Sequence, residues 1–296
     1  MQDRLTAFAA PAILPAAAVL TALLIIALGP WLTRYAVAKP NACSSHKVPT
    51  PQGTGIAVVG TTIFVSGGAL FFLSAANPKM SPLVVILAAV LLMAAVGAMA
   101  DKYPVTAAPR LVLQSFAVTA ALATFPPELQ LLPDLPWWCE RILLLVGTLW
   151  FVNLVNFMDG LDWMTVVEAV PITVALAVIG LLGYFPWQET VISMALCGAM
   201  IGFAFFNRPV AKLFLGDVGS LPIGVLLGWL LLVLARSSGR VAALLLPLYY
   251  LADSTITLLR RAANRETVWQ AHRSHFYQRA TDGGFRVIDV VLECLS

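Results

Sequence analysis

Nine stretches of mostly apolar residues divide this sequence and restrict it to the folds of membrane proteins. A helix of about 20 apolar residues is long enough to cross the hydrocarbon core of a bilayer. The composition agrees, because 60% of the residues are hydrophobic and 11% are charged, whereas a soluble domain carries about 25% charged residues. The sequence therefore predicts an all-α, polytopic membrane protein of about nine or ten transmembrane helices, in one domain over residues 1–296. The predicted spans are 12–33, 56–75, 81–99, 107–124, 141–157, 166–185, 190–206, 219–235 and 241–259.

The distribution of lysine and arginine indicates which loops face the cytoplasm. With the N-terminus placed outside, 13 of the 18 cationic side chains lie in the inside loops and the C-terminal segment. Cytoplasmic loops carry such an excess, so we expect the N-terminus outside. The first apolar stretch is longer than the 7–15 residues of a signal-peptide core, and we expect it to be a retained helix.

Charge and cysteine content exclude several classes of protein. The formal net charge of +3 is too small to indicate a nucleic-acid partner. The four cysteines contain no C-x-x-C pair, so neither a disulfide framework nor a zinc site is indicated.

The stretch Asn153–Met164, N-L-V-N-F-M-D-G-L-D-W-M, places polar residues at the end of an apolar span. Asn156, Asp159 and Asp162 are spaced by three, which puts them on one face of any helical continuation. Ionisable groups this close to hydrocarbon are costly and are functional by default. Neighbouring carboxylates raise each other's pKa unless a cation lies beside them, so this stretch predicts a cation-binding rim.

Two further inside loops carry candidate residues in front of this stretch. The loop Lys39–Gly55 offers His46 and Lys47 to an anion, and the alternative is a basic loop that serves only orientation. The stretch Gly97–Gln114 holds Asp101 at the end of one span and Arg110 at the start of the next. Asp101 taken alone could equally be a solvated side chain.

The last two inside segments also carry candidate functional residues. Asp217 lies between Gly216 and Gly219, where the backbone can approach a ligand closely; the alternative role for Asp217 is helix capping. The stretch A-H-R-S-H contains His272, Arg273 and His275. We expect Asp253, inside the last span, to pair with Arg260 or Arg261.

All three histidines lie on the same side of the membrane as Asp101, Asp159, Asp162 and Asp217 in this topology. Several carboxylates together favour a hard divalent cation, Mg²⁺ or Mn²⁺. Histidine and arginine beside them favour a phosphate group.

The five segments, in this order, resemble the polyprenyl-phosphate N-acetylhexosamine-1-phosphate transferases, glycosyltransferase family 4. That superfamily includes the phospho-MurNAc-pentapeptide translocase and bacterial GlcNAc-1-phosphate transferases. The resemblance covers residues 34–285. The family patterns are P-N-x-R-S-S-H-x-x-P-T-P-x-G-G-G, D-D-x-x-x-L with a following R-L-x-x-Q, N-x-x-N-x-x-D-G-x-D-G, F-x-G-D-x-G-S and H-R-x-H.

The resemblance implies transfer of N-acetylhexosamine 1-phosphate from a UDP-sugar to undecaprenyl phosphate, with release of UMP, at the cytoplasmic face of a bacterial inner membrane. It implies Mg²⁺ as the cofactor, with Mn²⁺ as an alternative, and a homodimer is compatible with it. By the same implication Asp217, Asn156 and Asp159 are metal ligands, and Asp159 and Asp162 line the nucleotide-sugar cleft. Asp101 would face the lipid phosphate as a base or as an orienting group. The anionic groups would be bound by His46, Lys47, Arg110, His272, Arg273 and His275.

The sequence departs from the family patterns at several positions. Ala100 replaces the first of two paired aspartates, Cys43 replaces an arginine, and Trp163 replaces a glycine. Gln52 and Thr54 alter the glycine run. The chain ends at Ser296, where relatives usually add a final helix, so we expect it to be short of that helix.

These departures leave two alternatives to an active transferase. The first is a catalytically impaired member that acts as a binding or partner subunit. The second is a secondary transporter, whose sites typically lie near the membrane midplane in repeated halves. The acidic residues here lie at helix ends and no repeat is visible, which disfavours the transporter.

Overall fold

A computed structural model describes residues 2–38, 48–73, 81–103, 105–126, 130–267 and 273–294. The expected all-α class is confirmed. The only strands in these ranges are two residues long, β1 (Val37–Ala38) and β2 (Thr50–Pro51), which pair antiparallel with Val37 opposite Pro51. The helices are α1 (Gln2–Tyr35), α2 (Gly55–Leu73), α3 (Ser81–Lys102), α4 (Ala107–Ala123), α5 (Trp137–Met158), α6 (Met164–Leu181), α7 (Trp187–Ala204), α8 (Asp217–Leu234), α9 (Arg240–Leu245), α10 (Leu248–Ala263), α11 (Phe276–Asp282) and α12 (Val287–Glu293).

The first eight predicted spans each correspond to one helix, α1 to α8. Within the described ranges, six helices are long and apolar enough to cross a membrane: α1, α2, α3, α5, α6 and α8. Helix α4, at 17 residues, is shorter. Helix α7 begins with Trp187-Gln188-Glu189, polar residues that lower its mean hydropathy.

The prediction of one continuous ninth span over 241–259 was wrong. Helix α8 continues through a π-helical turn, Ala235–Gly239, into the short α9. Pro247, which lacks a backbone N–H, then separates α9 from α10. The apolar residues 241–246 and the residues from 248 onward therefore belong to two different helices.

Helix α10 has its polar face inside. Asp253 and Ser254 are buried, whereas Leu248, Ile256 and Leu259 are at least half exposed. This pattern is the reverse of a soluble amphipathic helix, and it suits a helix whose outer face meets lipid. The interior face of α10 packs against α5, where the indole N–H of Trp150 donates to the Thr255 hydroxyl at 3.3 Å.

Helix α8 forms the centre of the bundle. Of its most apolar 18-residue window, 94% is buried, and it packs against α2, α3, α4 and α5. A helix that is hydrophobic on all sides is expected in such a position. Asp217, the first residue of α8, contacts Asp101 at the end of α3 and Asn156 near the end of α5, so these three helix ends lie together.

Candidate active site

Asp101, at the end of α3, caps the start of α8. Its Oδ1 accepts the backbone N–H of Asp217 at 2.9 Å, and its Oδ2 accepts that of Val218 at 3.0 Å. The first N–H groups of a helix have no partner within the helix and carry partial positive charge. A carboxylate from another helix therefore stabilises the start of α8 and fixes α3 against it.

The Asp217 carboxylate contacts side chains from two other helices. Its Oδ2 lies 3.2 Å from Nη1 of Arg110 on α4, and its Oδ1 accepts from Nδ2 of Asn156 on α5 at 2.8 Å. The same Asn156 nitrogen donates to the Ser220 hydroxyl at 2.8 Å. Three predicted site residues, from α4, α5 and α8, are thus brought into direct contact.

The start of α8 is shaped by close backbone approach. Gly216 has φ +78°, a conformation that L side chains rarely adopt, and a Cβ there would lie 2.7 Å from Oδ2 of Asp101. On α3, a Cβ at Gly97 would lie 2.1 Å from the carbonyl oxygen of Asp217. Glycine at both positions lets α3 and the turn before α8 meet closely enough for the Asp101 cap to form.

The described part of the first loop packs on the segment before α8. The N–H groups of Gly53 and Gly55 donate to the carbonyls of Phe214 and Leu215, at 3.1 and 2.9 Å. The Gln52 amide donates to the backbone carbonyl of Asp101 at 3.3 Å. Gln52 thus links this loop to the end of α3. Cys43, His46 and Lys47 lie outside the described residues.

Asp159 directly follows α5 and faces the other carboxylates. It accepts a short hydrogen bond from the Thr165 hydroxyl on α6. The pKa of the Asp159 carboxyl is raised to about 8, mainly by burial; the Thr165 hydrogen bond opposes this rise, and the negative charges of Asp217 and Asp101 contribute to it. Asp159 therefore has the electrostatic environment of a group that would gain from a nearby cation.

Asp162 and Trp163 connect the loop after α5 to the loop after α7. Asp162 Oδ2 accepts the N–H of Ala211 at 2.9 Å. The Trp163 backbone N–H donates to Asn207 Oδ1 at 2.8 Å, and its indole N–H donates to the Ala204 carbonyl at 2.7 Å. Trp163 has φ +66°, which explains why a glycine suits this position in the family pattern.

Asp253 does not pair with Arg260 or Arg261, contrary to the expectation from sequence. Its Oδ1 lies 3.0 Å from His275 Nδ1 and accepts the Phe276 N–H at 3.0 Å, while Oδ2 accepts the Tyr277 N–H at 3.3 Å. The two arginines are seven and eight residues further along α10, about 10–12 Å along the helix axis. After α10 the chain reverses direction. The first N–H groups of α11 have no partner within that helix, and they donate to Asp253 instead.

The described residues of the last segment that were predicted to bind phosphate contact other side chains of the protein. His275 is 2% exposed and stacks on Tyr277. Arg273 Nη2 lies 2.7 Å from Asp282 Oδ1. Tyr277 in turn donates from its hydroxyl to the Phe157 carbonyl at 3.1 Å, which attaches α11 to the end of α5. His272 lies outside the described residues.

The carboxylates of Asp217 and Asp159 offer the oxygen ligands that a hard divalent cation takes, and Mg²⁺ is usually bound by one or two carboxylates together with water and substrate phosphates. Asn156 directs its amide nitrogen at Asp217 and Ser220, so its oxygen would become a ligand only after rotation of the amide. No group of three or more histidine, cysteine, aspartate or glutamate side chains in the described ranges is close enough to hold a metal alone. The residues therefore fit a cation completed by substrate oxygens, and Arg110 supplies positive charge at this position.

The sequence analysis did not identify some of the residues that form contacts at the site. Ser220 belongs to the G-D-V-G-S motif and lies one turn after Asp217, so the motif itself pointed to it. Thr165 and Tyr277 gave no such signal, because neither is part of a pattern that indicates a partner. Only the packing of α6 and α11 against the end of α5 shows their roles.

The model of the family described as glycosyl transferase family 4 matches residues 83–235, slightly more than half of the chain. The chain belongs to glycosyl transferase family 4. The matched region contains all the residues that meet around Asp217, and the family resemblance inferred from the motifs is confirmed.

Three curated proteins show the extent of the similarity within the family. A probable undecaprenyl-phosphate N-acetylglucosaminyl 1-phosphate transferase of Bacillus subtilis (strain 168) is 24% identical over 82% of this chain and 69% of its own length. The phospho-N-acetylmuramoyl-pentapeptide-transferase of Streptococcus pyogenes serotype M18 is 30% identical over 37% of this chain. The protein of that name from Wolinella succinogenes is 38% identical over 27%. The chain matches 32% of the Streptococcus and 27% of the Wolinella protein.

Proposed function

We propose that this protein transfers N-acetylhexosamine 1-phosphate from a UDP-sugar to undecaprenyl phosphate and releases UMP. Such a step would begin the membrane stage of a cell-envelope polysaccharide, at the cytoplasmic face of a bacterial inner membrane. Family membership and the printed name of the Bacillus relative, which aligns with 82% of the chain, support this proposal.

The observation that carries the proposal is the contact of Asp217 with Arg110 and Asn156 at the capped start of α8. Phosphoryl transfer requires positioning and charge neutralisation more than covalent help from the protein. Arg110 offers a guanidinium to substrate oxygens, and the Asp217 carboxylate offers oxygen ligands to a cation.

The proposed reaction is a displacement at phosphorus. An oxygen of the lipid phosphate forms a bond to the β-phosphorus of the UDP-sugar. The bond from that phosphorus to the bridging oxygen breaks, and UMP leaves with the bridging oxygen. In this proposal Arg110 stabilises the negative charge that shifts between these oxygens.

In this proposal Asp217, Asn156 and Asp159 hold Mg²⁺ or Mn²⁺. A bound divalent ion would neutralise diphosphate charge and favour departure of UMP. Asp101 orients the site by fixing α8, and Asp162 holds the loop that follows Asp159. His46, Lys47 and His272 stay predicted anion-binding residues.

The experiment is an assay of UMP release by the purified full chain. It uses undecaprenyl phosphate, a panel of UDP-N-acetylhexosamines, and either Mg²⁺ or EDTA. Asp217→Asn is the test variant and Asp134→Asn, an exposed carboxylate between α4 and α5, is the matched control. Release that needs lipid and metal, and that falls at least a hundredfold in Asp217→Asn alone, supports the proposal. Absence of release with every donor contradicts it.

A second candidate is a relative that binds the substrates without turnover. Asp101 favours this alternative, because both of its oxygens already accept backbone N–H groups and Ala100 leaves no second carboxylate beside it. Metal-dependent binding of UDP-sugar without UMP release would identify this case, and Ala100→Asp would then be expected to restore release.

A further inference from the structure

A basic recess lies between the end of α10 and α11, and it contains none of the carboxylates of the candidate active site. Its volume is about 150 Å³. Three guanidinium groups and one carboxylate line it, together with small polar side chains. The lining includes Arg260, Arg261, Glu266, Ser274 and Arg279.

Arg261 builds the wall of this recess. Its Nη1 lies 3.3 Å from Glu266 Oε2, and its Nη2 donates to the Thr267 carbonyl at 2.8 Å. Nη1 also lies 3.4 Å from the Ser274 hydroxyl. The Arg261 side chain is only 11% exposed. Arg261 therefore joins the turn after α10 to the segment before α11 and balances the one carboxylate of the lining.

Arg260 and Arg279 supply the remaining charge of the recess. Both are exposed, and within the described ranges neither has a carboxylate oxygen within 4.0 Å. They approach the recess from different helices, α10 and α11. Two like charges held at one recess repel each other, and an anion between them removes that repulsion.

The recess is fixed relative to the candidate active site. The buried contact of Asp253 with His275 joins α10 to α11. Tyr277, two residues before Arg279, donates to the carbonyl of Phe157, which is two residues before Asp159. The guanidinium groups of Arg260 and Arg279 are therefore carried on elements anchored to the end of α5.

We propose that Arg260 and Arg279 bind a phosphate group of a substrate in this recess. Guanidinium groups match phosphate oxygens with paired hydrogen bonds. A volume of 150 Å³ accommodates a phosphate group, since one liquid water occupies about 30 Å³. The inference rests on the proposed function, and it assigns to these arginines a role that the sequence motif suggested for Arg273 and His275, whose side chains contact Asp282 and Asp253.

The test is a binding measurement on the purified full chain in neutral detergent. The probes are UDP, undecaprenyl phosphate and undecaprenol, the last carrying no phosphate. The variants are Arg260→Gln and Arg279→Gln, and the control is Arg265→Gln, an exposed arginine of the same turn that does not line the recess. Native mass spectrometry gives the Kd of each probe for the wild type and for each variant.

We expect both recess variants to raise Kd by about tenfold for one of the two phosphate compounds, as loss of a charge-assisted hydrogen bond predicts. The control and the binding of undecaprenol should be unchanged. An effect on UDP alone assigns the recess to the nucleotide donor, and an effect on undecaprenyl phosphate alone assigns it to the acceptor. Unchanged Kd values in both recess variants, an equal effect of Arg265→Gln, or no binding of either phosphate compound to the wild type overturns the proposal.

The UMP-release assay separates this inference from the proposed function. If the wild type releases UMP while both recess variants bind UDP and undecaprenyl phosphate normally, the transferase proposal stands and the recess inference fails. If the wild type releases no UMP but the recess variants lose phosphate binding, the recess inference stands and the transferase proposal fails.

Discussion

The carboxylate of Asp101 accepts the backbone N–H of Asp217 at 2.9 Å, so the acidic end of α3 holds the acidic start of α8. Asp101, which the family resemblance assigns to the lipid phosphate, therefore also caps the start of α8. The two carboxylates lie close together, and Arg110 contacts Asp217 with its guanidinium. The position of the candidate active site therefore depends on this contact between α3 and α8.

Replacing Asp101 with alanine should lower both the stability of the protein and its release of UMP. The first two N–H groups of α8 would lose their acceptor, at a cost of about 1–3 kcal/mol in the free energy of unfolding. Asp101→Asn, which keeps one acceptor oxygen, should lose less. Thermal unfolding in detergent checks the order, with Asp289→Ala, from an exposed pair with Arg286, as the control. Equal stability of Asp101→Ala and wild type would contradict the capping role.

Replacing Gly97 with alanine should separate α3 from α8. The added Cβ would meet the carbonyl of Asp217 at 2.1 Å, and overpacking of this kind costs about 1–3 kcal/mol. Gly60→Ala is a matched control, because a Cβ at that helical glycine meets nothing within 4 Å. The expected result is a lower unfolding temperature and reduced UMP release for Gly97→Ala only. Similar behaviour of both variants would show that the close approach is not required.

Two substitutions of Trp163 distinguish backbone strain from side-chain packing. Both Trp163→Gly and Trp163→Ala remove the indole and its hydrogen bond to Ala204. Only glycine relieves the left-handed backbone at φ +66°, a conformation that costs other residues about 1–2 kcal/mol. Trp163→Gly should therefore unfold at a higher temperature than Trp163→Ala. The opposite order would mean that the loop adopts another conformation once the indole is removed.

Asp159 should make stability depend on pH when divalent cations are removed. Its pKa in the folded protein is about 8 because of burial, above the ordinary value of 3.8. A carboxyl with a raised pKa stabilises the fold fully below the unfolded pKa and loses that contribution as pH rises through the folded pKa. With EDTA present, the unfolding temperature of the wild type relative to Asp159→Asn should fall between about pH 4 and pH 8. A difference that is constant over this window would contradict the burial of this carboxyl.

The sequence was sufficient to predict the membrane class and most of the residues that meet at the site. Apolar length alone located α1 to α8, because the pattern of a membrane-spanning helix is local. The motifs containing Asp101, Arg110, Asn156 and Asp217 were correctly placed at one end of the bundle, since alternating spans bring alternate loops to the same side.

The ninth span and the partner of Asp253 could not be predicted in this way. Pro247 interrupts a stretch whose hydropathy is continuous, and the inward polar face of α10 depends on what α5 and α11 provide. Asp253 binds His275 across 22 residues of chain, a contact fixed by the return of the chain and not by spacing within a helix. The metal ligands and the roles of His46, Lys47 and His272 stay predictions.

The most direct test follows the phosphorus atom itself. UDP-N-acetylhexosamine labelled in either its α- or its β-phosphate is incubated with undecaprenyl phosphate, Mg²⁺ and wild-type or Asp217→Asn protein. The proposed function predicts that β-label, and not α-label, enters the lipid fraction with the wild type, and that Asp217→Asn abolishes this transfer while Asp134→Asn does not. Transfer of α-label, or equal transfer by Asp217→Asn, would contradict the assignment of this site.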